Sequence, residues 1–240
     1  LQDITTNDIR YYLAMYQEQR KISMSYMDTI RRYLSSFFAW ISDEGYISRN
    51  PMRRLKKIKV PRMIKKPFSQ AEMEHLRCNA GCQRDIAIMA FLYSTAARIG
   101  EVVRLDRKDI DWGNKEVIIY GEKGKKERRV YLTDDCAYHL QKYLSTREDN
   151  NPALFVSNKQ PHTRLGKQAI QSMLRTLGNK TEIHAHPHKF RRTLLTDAGN
   201  RGIPLQEIQM YAGHQKPDTT MMYVTVSEEN VKASFRRYIS

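Results

Sequence analysis

Four separated pieces of this sequence carry side chains able to grip a phosphate or move a proton. In Thr95-Ala96-Ala97-Arg98-Ile99-Gly100-Glu101 an arginine falls where one helix breaks and another restarts, with Glu101 one turn later to orient it. Lys123 stands between Gly121 and Gly124 at the tip of an expected hairpin. His188-Lys189-Phe190-Arg191 follows Pro187, so the i, i+3 spacing sets an imidazole and a guanidinium on one helical face. Gly213-His214 is followed, nine residues after the histidine, by Tyr223 within Thr219-Thr220-Met221-Met222-Tyr223. Taken singly each is weak: the first can be a surface ion pair worth tenths of a kcal/mol, the second a solvated lysine, the fourth a core aromatic, and a lone His-x-x-Arg means little.

In combination, and in that order along the chain, the set resembles the tyrosine recombinases, the family of phage and transposon integrases and chromosome-dimer resolvases. Leu105 to Asp111, Asn50-Pro51 and Gly202 to Tyr223 look like the same family, so the resemblance covers nearly the whole chain. It implies an active-site set of Arg98, Lys123, His188, Arg191 and His214, a nucleophile at Tyr223 and a supporting acid at Glu101. Two positions depart from the pattern. Ala96 stands where glycine is usual, and alanine tolerates positive φ poorly; Arg192 stands where histidine is common.

The implied roles agree with elementary chemistry. In-line attack on a phosphodiester concentrates negative charge on the non-bridging oxygens, and fixed cationic donors can hold it there. Arg98 and Arg191 supply guanidinium forks that stay charged at any working pH, and His214 adds a further donor. A phenol has an unperturbed pKa near ~10, so Tyr223 needs cationic neighbours or a base, for which His188 is the candidate. Lys123 can protonate the leaving 5′ oxygen. The expected intermediates are a 3′-phosphotyrosyl link and a free 5′ hydroxyl, resealed without a metal or nucleotide cofactor.

Rival chemistries use other residues. His184, His186 and His188 alternate like metal ligands, but Pro187 interrupts the strand such alternation needs. Asp106, Asp109 and Asp111 could hold magnesium for a two-metal nuclease, yet they fall in an expected turn where aspartates cap. Cys78, Cys82 and His75 lack a second ligand pair at zinc-finger spacing, and three cysteines are too few for a disulfide framework. No metal site is therefore expected.

The elements that must position these groups are mostly helical. Ile9, Tyr12, Leu13 and Tyr16 stripe a helix from Thr6 to Arg20, with Thr6 and Asn7 as capping candidates. Tyr26, Ile30, Leu34, Phe37 and Ile41 stripe residues 23 to 44, and Gly45 suits a C-cap. Asn50-Pro51 starts a short helix, and Ser69 with Glu72 forms a capping box that opens a second domain. Helices continue to about Leu105. Glu116 to Tyr120 and Arg128 to Leu132 read as a hairpin, and Leu154 to Val156 as a short strand. Beyond the hairpin helical patterns dominate.

The chain has 240 residues, 41 Lys and Arg against 26 acids, and a formal charge of +15. That balance points to a polyanion, with nucleic acid ahead of an acidic membrane surface. No apolar run approaches the ~20 residues of a membrane helix and no signal peptide opens the chain, so a soluble, untargeted protein is expected; the resemblance implies a cytoplasmic one of bacterial, phage or mobile-element origin. Because helical pattern begins by Thr6, an upstream segment is expected to be missing. Arg49 to Lys66 contains Arg53, Arg54, Lys56, Lys57, Lys59, Arg62, Lys65 and Lys66 without an acid, which suits a linker tracking phosphates better than a merely solvated one.

The expected architecture is mainly α with a small antiparallel sheet: a helical core-type DNA-binding domain (1–60), a basic linker (61–67) and a catalytic domain (68–240) closing as a C-shaped clamp. The resemblance implies double-stranded recombination sites as substrate and a homotetramer exchanging strands through a Holliday junction. Within 227–240, Val231, Phe235, Tyr238 and Ile239 form an apolar stripe expected to dock on a neighbouring protomer, with docking on the chain's own core as the alternative. A type IB topoisomerase shares the chemistry without partner-site exchange, and a non-catalytic DNA-binding regulator would need only the basic segment and helices.

Overall fold

Two hydroxyl capping boxes mark where regular structure begins in each half of the chain. In the computed structural model, which describes residues 1–60, 66–121, 127–214 and 236, Thr5 and Asp8 bond reciprocally at the start of α1 (Thr6–Arg20). Ser69 and Glu72 do the same at the start of α3 (Gln70–Cys78), with Ser69 N donating to Glu72 Oε2 at 2.8 Å. The first cap is Thr5, not Thr6 or Asn7, because the acid that reaches back to the cap amide is Asp8.

The chain divides into two compact units, residues 1–65 and 66–240. In the first, α1, α2 (Met24–Asp43) and a 3-10 turn (Pro51–Arg54) enclose Ile9, Leu13, Met27, Phe38, Ile41, Ile47 and Met52. Gly45, at φ +78°, follows the end of α2 and lets the chain reverse. The inner face of α2 differs from the expected stripe: Met27, Arg31, Phe38 and Ile41 are buried, Ile30 and Leu34 partly so, while Tyr26 and Phe37 are exposed. The seam includes an arginine, held by Asp28 through Nε at 2.9 Å, and apolar spacing alone passes over it. On α1, Tyr12 is exposed and stacks on Tyr16 rather than packing inward.

Leu55 and Ile58 also dock on this core, so the basic stretch up to residue 58 belongs to the first unit; Arg53, Arg54, Lys56, Lys57 and Lys59 are exposed around them. Arg62 and Lys65 lie outside the described residues.

The second unit is built on α4 (Gln83–Thr95), whose Ala87, Ile88, Phe91 and Leu92 are fully buried. It packs on α6 (Asp134–Ser145) and α8 (Pro187–Asn200). A short α5 (Ile99–Val102) leads to an antiparallel sheet, β1 (Ile110–Asp111), β2 (Glu116–Tyr120) and β3 (Glu127–Tyr131), in sequential order. α7 (Lys167–Thr181) and α9 (Leu205–Ala212) complete the described helices. The second strand of the hairpin begins one residue earlier than expected. Leu154 to Val156 is buried but forms no strand; the pairings at its ends are isolated bridges, Asp106 to Ala153 and Val156 to Arg164. Residues 66–68 are fastened to α8: Arg192 Nη1 donates to Lys66 O at 3.1 Å, and Phe68 N to Thr193 Oγ1 at 2.9 Å. Among the described residues no helix is long and apolar enough to cross a membrane.

Candidate active site

The turn between α4 and α5 aims Arg98. Thr95 Oγ1 donates to Phe91 O at 2.7 Å and accepts from Ala97 N, closing the last turn of α4. Ala96 then takes a left-handed conformation, φ +48°, at the position where glycine is usual. For an L-residue this costs ~1–2 kcal/mol; its buried methyl packs with Leu195, Ile208 and Ala212 in return. Arg98 follows as the N-cap of α5, its backbone N–H donating to Glu101 Oε2 at 2.7 Å. The side chain remains 34% exposed, with Nη1 3.2 Å from Glu101 Oε1 and Nη2 3.3 Å from Gly213 O.

Glu101 is fully buried and is shared by two arginines. Arg128 of β3 donates Nη1 to Oε1 at 2.8 Å and Nη2 to Oε2 at 2.7 Å, a two-pronged pairing stronger than the single side-chain contact from Arg98. Burial alone would raise the Glu101 pKa. The Arg128 hydrogen bonds and charge, with the Arg98 amide and charge, outweigh it, and the carboxyl is held below its ordinary range.

Arg191 is buried on α8. It donates to Ala96 O and, through Nη2, to Ala212 O at 2.6 Å, and Nη2 stands 2.8 Å from His214 Nε2. The Gly213 turn that ends α9, at φ +64°, delivers His214 to this position. Burial first, then the charges of Arg191, Arg98 and Arg128, push the His214 pKa down to about 4. A guanidinium has only donors, so Nε2 accepts in this contact and the neutral ring carries its proton on Nδ1.

Arg98, Glu101, Arg191 and His214, scattered over more than a hundred positions, thus converge on one cluster. His188 is exposed in the first turn of α8, one turn before Arg191. Lys123, Tyr223 and, save position 236, the segment 227–240 lie outside the described residues. Arg128 was not among the expected residues. Its signal is strand parity: it shares the inward-facing side of β3 with buried Val130 and pairs across from buried Ile119, an unusual place for an unpaired charge.

The aspartates of the rival nuclease cluster have other partners. Arg164 pairs with Asp106, Asp109 caps the Asp106 amide at 2.8 Å, and Asp111 takes Asn114. His184 and His186 meet ring to ring at 5.1 Å. Among the described residues no three His, Cys, Asp or Glu side chains gather as a metal cage.

The phage integrase family model matches residues 53–230. The chain belongs to that family. As an integrase-family chain it joins a class of enzymes that break and rejoin DNA. It is 26% identical over 234 residues to tyrosine recombinase XerA of Pyrococcus horikoshii, covering 97% of this chain and 80% of that protein. With tyrosine recombinase XerC of Oceanobacillus iheyensis the identity is 27% over 249 residues, covering 98% and 81%. The crystal structure of XerA recombinase superposes with a TM-score of 0.63 at 25% identity, covering 99% of this chain and 85% of that one. The Tn1549 transposon integrase in complex with a circular intermediate DNA has the same fold, with a TM-score of 0.80 at 19% identity over 99% of this chain and 86% of its own.

Proposed function

We propose that this chain is a site-specific DNA recombinase that cleaves and reseals strands through a 3′-phosphotyrosyl bond on Tyr223. The observation that carries this reading is the convergence of Arg98, Arg191 and His214, with the buried carboxylate of Glu101 backing Arg98. Arg98 and Arg191 bind the non-bridging oxygens of the scissile phosphate and offset the charge that grows there. Arg191 is pre-positioned by Ala96 O and Ala212 O, while Arg98, a third exposed, faces the incoming strand. His214, neutral at working pH, adds a donor from its ring N–H to the same phosphate. His188 accepts the Tyr223 phenolic proton as the oxygen attacks phosphorus, and Lys123 gives a proton to the departing 5′ oxygen. In the reverse direction a 5′ hydroxyl attacks the phosphotyrosyl bond and Tyr223 leaves, so no external energy source is needed.

The substrate is double-stranded DNA carrying recombination sites. Residues 1–60 act as a DNA-grasping domain and 61–67 as linker; the former supplies Arg53, Arg54, Lys56, Lys57 and Lys59, and Arg62, Lys65 and Lys66 continue along the phosphates. Four copies assemble on two sites in the cytoplasm, residues 227–240 of one docking on the next, and exchange strands through a Holliday junction. A plasmid with two copies of the site tests this: recombinant circles are expected without added metal or nucleotide. Relaxation of supercoils with no recombinants would instead favour a topoisomerase.

A further inference from the structure

Arg128 sits where a charge is costly. The register of β2 with β3 sets it opposite fully buried Ile119 on the inner face of the sheet, and its side chain is 10% exposed. Its three nitrogens each have a partner: Nε donates to Tyr211 O at 3.1 Å, Nη1 and Nη2 to the two oxygens of Glu101. Those partners belong to α9 and α5, the two elements that present His214 and Arg98. Its stem also lies under Gly213, where a Cβ would come within 3.1 Å of Arg128 Cδ.

We infer that Arg128 is a positioning residue: its guanidinium fixes Glu101, and through Glu101 the outward pose of Arg98, while its stem braces the turn that carries His214. This rests on the reading of the site given above. The division of labour at Glu101 is decisive. A buried carboxylate needs both oxygens satisfied, and Arg128 satisfies both. Arg98 therefore gives Glu101 only one guanidinium nitrogen besides its backbone N–H and keeps an exposed face toward the DNA. Without Arg128, Glu101 would draw the Arg98 fork inward, away from the phosphate. Lysine cannot substitute, since one ammonium cannot span two carboxylate oxygens and the Tyr211 carbonyl in a fixed plane.

The test uses Arg128→Lys and Arg128→Gln, alone and with Glu101→Gln, on a nicked duplex that wild type converts to a Tyr223-dependent adduct. The lysine variant keeps charge and stem and is the one expected to retain a cooperative melting transition, showing that it folds. Its DNA affinity should stay within about threefold of wild type, whereas adduct formation at saturating DNA should slow roughly 10²-fold, the scale of a misplaced reacting group. In the Glu101→Gln background the further loss from Arg128→Gln should shrink to under about threefold, because both changes break one linkage. Full-rate cleavage by a folded Arg128→Lys, or losses that simply multiply, would overturn the inference. A wild-type chain giving no adduct on any duplex would show separately that the parent reading had failed, and would take this proposal with it.

Discussion

Arg191 Nη2 and His214 Nε2 stand 2.8 Å apart, joining the helix that carries His188 to the turn that ends α9. Burial, with a permanent cation held against the imidazole, keeps that ring neutral, and the site gains a hydrogen-bonding histidine in place of a third charge. Specific consequences can be measured.

The first concerns pH. Burial and the neighbouring guanidinium charges lower the folded-state pKa of His214 from 6.5 to about 4. A depressed pKa means the unfolded chain binds the proton more readily, so this group's contribution to stability is complete above about pH 6.5. It fades progressively as pH falls toward 4. In an NMR titration the His214 ring should show its midpoint near 4, and His214→Gln should be less acid-sensitive across that window. A midpoint at 6.5 would contradict the geometry.

Arg98 and Arg191 should separate activity from stability. Arg191→Ala strands two buried carbonyls, Ala96 O and Ala212 O, and should lower unfolding free energy by about 1–3 kcal/mol. Arg98→Ala leaves Glu101 paired with Arg128 and should melt close to wild type. Both should slow cleavage by roughly 10²–10³. Equal thermal shifts in the two variants would count against the burial of Arg191.

Ala96 offers a backbone test. Glycine at φ +48° relieves left-handed strain but removes a buried methyl worth about 0.8 kcal/mol, so Ala96→Gly should change stability by less than about 1 kcal/mol. Ala96→Val, β-branched at positive φ in a closed site, should cost about 2–3 kcal/mol and cleavage with it. Denaturant melts decide between these outcomes.

Neutralising Lys56, Lys57 and Lys59 together should weaken DNA binding across sequences and flatten its salt dependence, by about 0.9 in log–log slope for each phosphate no longer neutralised. These side chains are exposed around a segment anchored by Leu55 and Ile58, so folding should be unaffected. An unchanged slope would remove this stretch from the DNA interface.

What the sequence made legible follows from the range over which each signal acts. Glu72 reaching back to Ser69, and Glu101 to Arg98, are three-residue relationships imposed by a helical turn, and both are found where spacing put them. His188 and Arg191 share α8 for the same reason. Arg128 stayed hidden because its meaning depends on which side of β3 meets α5 and α9, a long-range fact. The face of α2 was displaced because Arg31 completes its seam, and a count of apolar residues skips it. Leu154 to Val156 is apolar enough for a strand, yet its neighbours offer only single bridges. Lys123 and Tyr223 rest on motif order alone, as neither lies among the described residues.

The most direct test asks which atom holds the DNA. With a nicked suicide duplex that lets the downstream fragment diffuse away, the chain should accumulate a detergent-stable adduct, and peptide mapping should place the 3′ phosphate on Tyr223. Tyr223→Phe should bind the same duplex with unchanged affinity and form none. An adduct at any other residue, or one that persists in the phenylalanine variant, would contradict the account.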